Sequence, residues 1–158
     1  MKLYYAPGAC SLAVHIALRE VGVPFTAHAV DLAKHTLPDG ASYLDISPRG
    51  YVPLLELDDG SRHTEAAALL QHVADLDQTQ ALIGAPGTPR RFAIVDSLVF
   101  VATELHKVFS PWLWHKETAD STRDAVKAKL AARSLDEPLG AQCRLHRRPR
   151  LHALQVGA

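Results

Sequence analysis

The sequence predicts an α/β unit over residues 1–77, joined by a linker at 78–89 to a helical segment from residue 90 onward. Three observations carry this. Up to residue 77, short β-prone runs alternate with helical periodicities. Residues 78–89, QTQALIGAPGTP, hold two prolines and two glycines, a linker composition. Beyond them the apolar residues recur only at helical spacing.

Leu3, Tyr4, Tyr5 and Ala6 form a β-prone run stopped by Pro7-Gly8. Ser11 is placed to cap a helix in which Leu12, Ala13, Ile16, Ala17 and Val21 share a stripe. Gly22 sits where such a helix closes, with Pro24 just beyond. Phe25–Val30 reads as a second strand, 31–50 as polar and irregular, and Val52–Leu57 as a third strand with Pro53 near its start. Asp58-Asp59-Gly60-Ser61 is a hairpin turn leading to a short fourth strand at Arg62–Thr64. A helix from Glu65 or Ala66 to Asp77 follows, with Thr64 as its cap. In the helical segment Phe92, Val95, Leu98, Val99, Ala102 and Leu105 recur as a core-facing helix requires. Pro111 and two tryptophans interrupt that pattern before another at Thr118–Arg133.

Composition narrows the classes of function. The 158 residues are 47% hydrophobic and 22% charged, ordinary for a globular chain. Seventeen basic residues balance seventeen acidic ones, which argues against nucleic acid or an anionic membrane as partner. No apolar run approaches the roughly 20 residues of a membrane span. The N-terminus does not read as a signal peptide. Cys10 and Cys143 are too few for a disulfide framework and fit no paired metal spacing, so no metal is expected and a cytoplasmic setting is the default. Residues 134–158 hold four arginines and two acids, giving a basic tail behind a slightly acidic body.

Three places carry chemistry. Cys10 stands where the Pro-Gly loop becomes a helix, and the positive end of a helix dipole draws a thiol toward thiolate. Ser11 adds a hydroxyl, and Tyr5 ends the strand that leads there. The alternative for Cys10 is a small buried packing residue. At Gly50-Tyr51-Val52-Pro53, a cis Val52–Pro53 bond would turn the Val52 backbone outward to pair with an extended peptide; the alternative is an edge strand with a trans proline. At Thr64-Glu65-Ala66, a helix N-terminus suits a carboxylate while Glu65 suits an ammonium; the alternative is plain capping.

YYAPGACSLAVHIALREVG, SPRGYVPLLELDDGSRHTEAAALLQHVADL and ATELHKVFSP, in that order, resemble the bacterial beta-class glutathione S-transferases. The likeness covers residues 1 to about 133. It implies a thioredoxin-like N-terminal domain followed by an all-α C-terminal domain, working as a homodimer. It implies glutathione as co-substrate and a small hydrophobic electrophile as its acceptor. Cys10 would face the glutathione sulfur and form a mixed disulfide with it, with Tyr5 and Ser11 close by. Val52, ahead of Pro53, would pair with the cysteinyl backbone, and Glu65 and Ala66 would hold the γ-glutamyl end. Glu104, His106 and Lys107 come from the motif that reaches the sulfur region in that family. The same resemblance leaves open a glutathione-dependent reductase, or a protein that binds glutathione without turnover.

Departures from the family pattern matter. Position 35 is His where relatives commonly carry Lys for the glycyl carboxylate, and histidine is largely uncharged at pH 7. Position 99 is Val where relatives often carry Asn. From residue 134 the chain lacks the family's capping box and apolar stripe, so the helical domain is expected to be incomplete.

Overall fold

The computed structural model describes residues 1–107 and 119–132. The interruption at Pro111 and the basic tail from 134 lie outside them. Residues 1–102 make one compact unit, and the described residues from Thr103 onward belong to a second.

In the first unit the chain runs β1 (Lys2–Tyr5), α1 (Ser11–Val21), β2 (Thr26–Ala29), a 3-10 turn (Tyr43–Asp45), β3 (Leu54–Glu56), β4 (Arg62–His63), α2 (Ala66–Asp75) and α3 (Pro89–Phe100). One sheet of order β2-β1-β3-β4 holds the four strands. β1 and β2 are parallel, which requires the crossover that α1 supplies, while β1–β3 and β3–β4 are antiparallel. This is the expected thioredoxin-like arrangement, βαβ followed by ββα.

Alternation along the strands divides the core into two faces. Leu3 and Leu55 point to the side where Val14 and Leu18 of α1 and Leu69 and Val73 of α2 pack. Tyr4 and Leu54 point to the other side, against Val30 and Tyr43. Gly22 closes α1 at φ 76, a left-handed conformation that suits glycine, and its N–H donates to the Leu18 carbonyl at 3.1 Å.

Several expectations change. Cys10, not Ser11, is the cap residue of α1, and it caps without a side-chain hydrogen bond. Glu65, not Thr64, precedes α2, again without a side-chain cap, at φ 68. The stretch read as irregular at 31–50 carries the 3-10 turn and two bridges, Asp31 to Thr36 and Thr36 to Ser42. Residues 78–89 are folded rather than slack. Ile83 is buried, Asp77 accepts from the Thr79 and Ala81 amides, and the Arg90 guanidinium donates to the Ala81 carbonyl at 2.6 Å. α3 starts on Thr88, whose hydroxyl accepts from the Arg91 amide, and Arg91 grips Asp75 of α2 with two nitrogens. Its apolar stripe, read as core-facing, is covered only in part among the described residues: Val95 and Leu98 are half-buried, while Phe92 is 76% and Val99 47% exposed. A helical period identifies the face that needs cover, not what supplies it.

The second unit begins at Thr103. It takes in most of a π-helical segment, Val101–His106, and α4 (Asp120–Ala132). No helix among the described residues is long and apolar enough to cross a membrane.

Glu56 is the buried acid of the sheet. Lys2 Nζ donates to it at 2.7 Å and Arg62 Nε at 2.9 Å, and these two hydrogen bonds hold its carboxyl below the ordinary glutamate value. The folded state therefore binds that proton more weakly than the unfolded chain. The stabilisation is complete above the ordinary value of 4.5 and drains away as pH falls through the lowered one. Glu56→Gln should lower the thermal midpoint at pH 7 by about 2–4 °C, both cations being half in solvent. Wild type and variant should converge in strong acid, as unfolding curves at several pH values would record.

Candidate functional site

Register gathers the chemistry-bearing segments at one end of the sheet. Tyr4 faces Leu54 across the antiparallel β1–β3 pair, so Tyr5 at the end of β1 and Pro53 just before β3 lie at the same end. Leu55 faces His63 across the antiparallel β3–β4 pair, so Pro53, just before β3, and Glu65, just after β4, leave the sheet at the same end. Tyr5 also pairs with Ala29, which leads into the segment that carries His35. The Cys10 loop, the Val52–Pro53 junction, the start of α2 and the 31–36 bend thus leave the sheet at the same end. Open α/β sheets bind ligands at such strand ends.

Cys10 follows a turn in which the Ala9 amide donates to the Ala6 carbonyl at 3.2 Å. It is half-buried, and its Sγ donates to the Val52 carbonyl at 3.7 Å. The Val52–Pro53 bond is cis, as the sequence suggested. Ser11 adjoins Cys10, but its hydroxyl is committed to the end of β1. It is fully buried, and its hydroxyl donates to the Ala6 carbonyl at 3.3 Å while accepting from the Ala6 amide at 3.2 Å. A buried hydroxyl must satisfy itself, and the strand end is its partner; Ser11 fixes the turn that carries Cys10. The Tyr5 ring lies against His15 of α1, centroids 5.4 Å apart. His15 meets Phe25 edge-on, and the Arg19 guanidinium covers Phe25 at 4.9 Å.

His35 and the 50–53 loop touch. His35 is at φ 53 and Gly50 at φ 67. The His35 ring lies so near that a Cβ on Gly50 would fall 2.6 Å from its Cε1 and 2.7 Å from its Nδ1. That Nδ1 is buried without a hydrogen bond. Two residues that sequence reasoning passed over hold this loop. Tyr43, fully buried, donates its hydroxyl to the Tyr51 carbonyl at 2.9 Å, and Ser47 Oγ donates to the same carbonyl at 3.4 Å. Burial pushes the Tyr43 phenol above its ordinary range, so it remains a donor. The available signal was a tyrosine with Leu44 and Ile46 inside an otherwise polar stretch, an apolar anchor with a polar tip.

At the third place Glu65 is exposed and holds a positive φ, a conformation non-glycine residues rarely take. Its carbonyl accepts from the Ala68 and Leu69 amides, both at 3.0 Å, which starts α2; Ala66 is half-buried at the first position. Together these parts offer a backbone junction beside a thiol, with a helix N-terminus and an exposed carboxylate at the same sheet end. An extended peptide carrying a thiol, a carboxylate and an ammonium fits that chemistry. Glu104, His106 and Lys107 belong to the second unit, with Glu104 and His106 on its π-helical segment and His106 and Lys107 exposed.

Residues 8–76 match the family described as the glutathione S-transferase N-terminal domain. Glutathione S-transferase GstA of Escherichia coli O157:H7 is 44% identical over 130 residues, 82% of this chain and 64% of that protein. Glutathione S-transferase GST-4.5 of Xanthomonas campestris is 44% identical over 112 residues, 70% of this chain and 52% of that protein. The chain therefore spans between about half and two thirds of the length of these relatives. Among solved structures, a ternary complex of BphK, a bacterial GST, aligns with TM-score 0.79 at 44% identity, over 91% of this chain and 69% of that one. The beta-class transferase of Sphingomonas chungbukensis aligns with TM-score 0.77 at 39% identity, over 92% and 69%. A sphingomonad transferase complexed with glutathione aligns with TM-score 0.77 at 41% identity, over 83% and 65%.

The contact of His35 with Gly50 generates a direct test. Gly50→Ala adds a methyl group where the ring stands and forces a side chain into left-handed backbone. It should cost about 1–3 kcal/mol in denaturant unfolding. A loss of no more than a few tenths would show that the two segments move apart freely.

Proposed function

The chain belongs to the glutathione S-transferase family, and from that membership we propose that it binds glutathione at the sheet end built from Cys10, His35, Val52 and Glu65–Ala66. The observation that carries the reading is the Cys10 thiol 3.7 Å from the carbonyl of Val52, beside the cis Val52–Pro53 junction. The solved complex of a 41%-identical relative with glutathione supports it.

In this reading the cysteinyl backbone of glutathione pairs with Val52 and its sulfur lies toward Cys10. The γ-glutamyl carboxylate meets the amides at the start of α2, and Glu65 takes the ammonium. The glycyl carboxylate lies toward His35, whose Nδ1 is buried, so Nε2 makes that contact. The glutathione thiol gives up its proton, and its thiolate forms a carbon–sulfur bond to a small hydrophobic electrophile while the leaving group departs with the electron pair. Cys10 serves a second step. Its thiolate attacks glutathione disulfide, forms the Cys10–glutathione disulfide and releases one glutathione thiolate. Glu104, His106 and Lys107 are retained as candidates on the strength of the ELHK motif, and assembly as a homodimer on the family resemblance.

Two variants test the proposal. Cys10→Ala should abolish the glutathione adduct seen by intact-mass measurement after incubation with glutathione disulfide, yet keep glutathione binding within about threefold, because a thiol adds little to a site of charged and backbone contacts. An adduct that survives in Cys10→Ala places the chemistry on another residue. His35→Lys replaces an imidazole by a permanent cation and should tighten glutathione binding about threefold or more at pH 7. γ-Glutamylcysteine, which lacks the glycyl carboxylate, should show no gain. Equal gains for both ligands would move the glycyl end away from position 35.

A further inference from the structure

We infer that Tyr43 is a positioning residue for glutathione, setting the Val52 edge through the Tyr51 carbonyl and tying that edge to the His35 segment; this rests on the binding reading above. Tyr43 lies a helix, a strand and a loop away from Cys10 in the chain and makes none of the contacts assigned to the ligand. Its bonds nevertheless run to both sides of the site. Its amide donates to the His35 carbonyl at 2.8 Å, and its hydroxyl donates to the Tyr51 carbonyl at 2.9 Å. Its own carbonyl accepts from the Ile46 and Ser47 amides at 3.0 and 2.8 Å, which holds the 3-10 turn rigid beneath the loop.

The loop itself shows what that anchoring does. The Tyr51 side chain is 67% exposed, so packing of this residue does not hold the loop. What holds it is the backbone: two hydroxyls, from Tyr43 and Ser47, converge on one carbonyl, and the Gly50 amide returns to the Ser47 carbonyl at 2.8 Å. The next residue is Val52, whose carbonyl meets the Cys10 thiol. The Tyr43 ring is in turn seated against Tyr4 of the central strand, centroids 5.7 Å apart, with Tyr4 stacked on His28 at 5.2 Å. A chain of contacts thus runs from the sheet through the Tyr43 ring and hydroxyl to the ligand-pairing edge. A misplacement of that edge weakens every contact the cysteinyl backbone makes.

Tyr43→Phe deletes the hydroxyl and keeps the ring. The full chain would be titrated with glutathione by calorimetry, and thermal midpoints recorded alongside. The expected result is a Kd raised about three- to tenfold in the folded variant, the effect of one buried hydrogen bond. Ser47→Ala should raise it about twofold, its bond being the longer. γ-Glutamylcysteine should weaken in parallel, since Val52 serves the cysteinyl unit common to both ligands. A residue that only stabilises the fold would lower the midpoint and leave Kd untouched, and that result overturns the inference. Should Tyr43→Phe not fold, Ser47→Ala decides alone, and an unchanged Kd there overturns it equally. Failure of the unmodified protein to bind glutathione overturns the binding reading itself, before any variant is made, and this inference with it.

Discussion

The antiparallel pairing of β1 with β3 sets both the core and the candidate site of the first unit. Leu3 opposite Leu55 and Tyr4 opposite Leu54 decide in one register which side chains meet α1 and α2 and which meet the 3-10 turn. A slip of one residue would turn Leu3 toward the wrong layer and the tyrosine toward the helices, because side chains alternate with period two. The same register brings Tyr5, Pro53 and Glu65 to one sheet end. The core and the candidate site are therefore outcomes of a single alignment of two short strands.

Polar groups are divided along that sheet. Ion pairs hold the end away from the site: Met1 to Asp58, and Lys2 and Arg62 to Glu56. At the site end the work falls to buried hydroxyls aimed at backbone. Ser11 closes on Ala6, and Tyr43 and Ser47 close on Tyr51. Neutral donors shape a binding end without leaving a fixed charge for an ionic ligand to compete with, and their geometry is nearly indifferent to salt. Glu65 stands there as an exposed carboxylate.

Much of this was legible in the chain. Gly22 after a helical stripe and Pro7-Gly8 before it bracketed α1, because backbone punctuation is local. Pro53 inside a strand-like run pointed to a special bond, because proline cannot donate to a ladder. What sequence could not supply was direction. Ser11 was in the right place, but its hydroxyl turned toward the end of β1, a choice made by tertiary packing. The α2 cap moved from Thr64 to Glu65 because the backbone there takes a positive φ that no local preference demands. Tyr43 lay in a stretch read as irregular, since a three-residue turn leaves no period to detect.

Two positions of the candidate site differ in how tightly the scaffold grips them. Ala66 is half-buried at the first turn of a helix whose backbone contacts are made by Glu65. Its methyl group packs partly against the core, on ordinary helical backbone. His35 is the opposite case. Its backbone is left-handed, its carbonyl is taken by Tyr43, and its ring rests on Gly50, which in turn borders Tyr51 and Val52. In the proposed reading a residue at position 35 would act on the glycyl carboxylate twice: through its own charge, and through the loop it leans on. Charge at that position is separable from shape only when two ligands are compared, one with the glycyl carboxylate and one without. For that reason the identity of a single side chain there, read from sequence, is a weaker guide to affinity than it is in a freely solvated lysine.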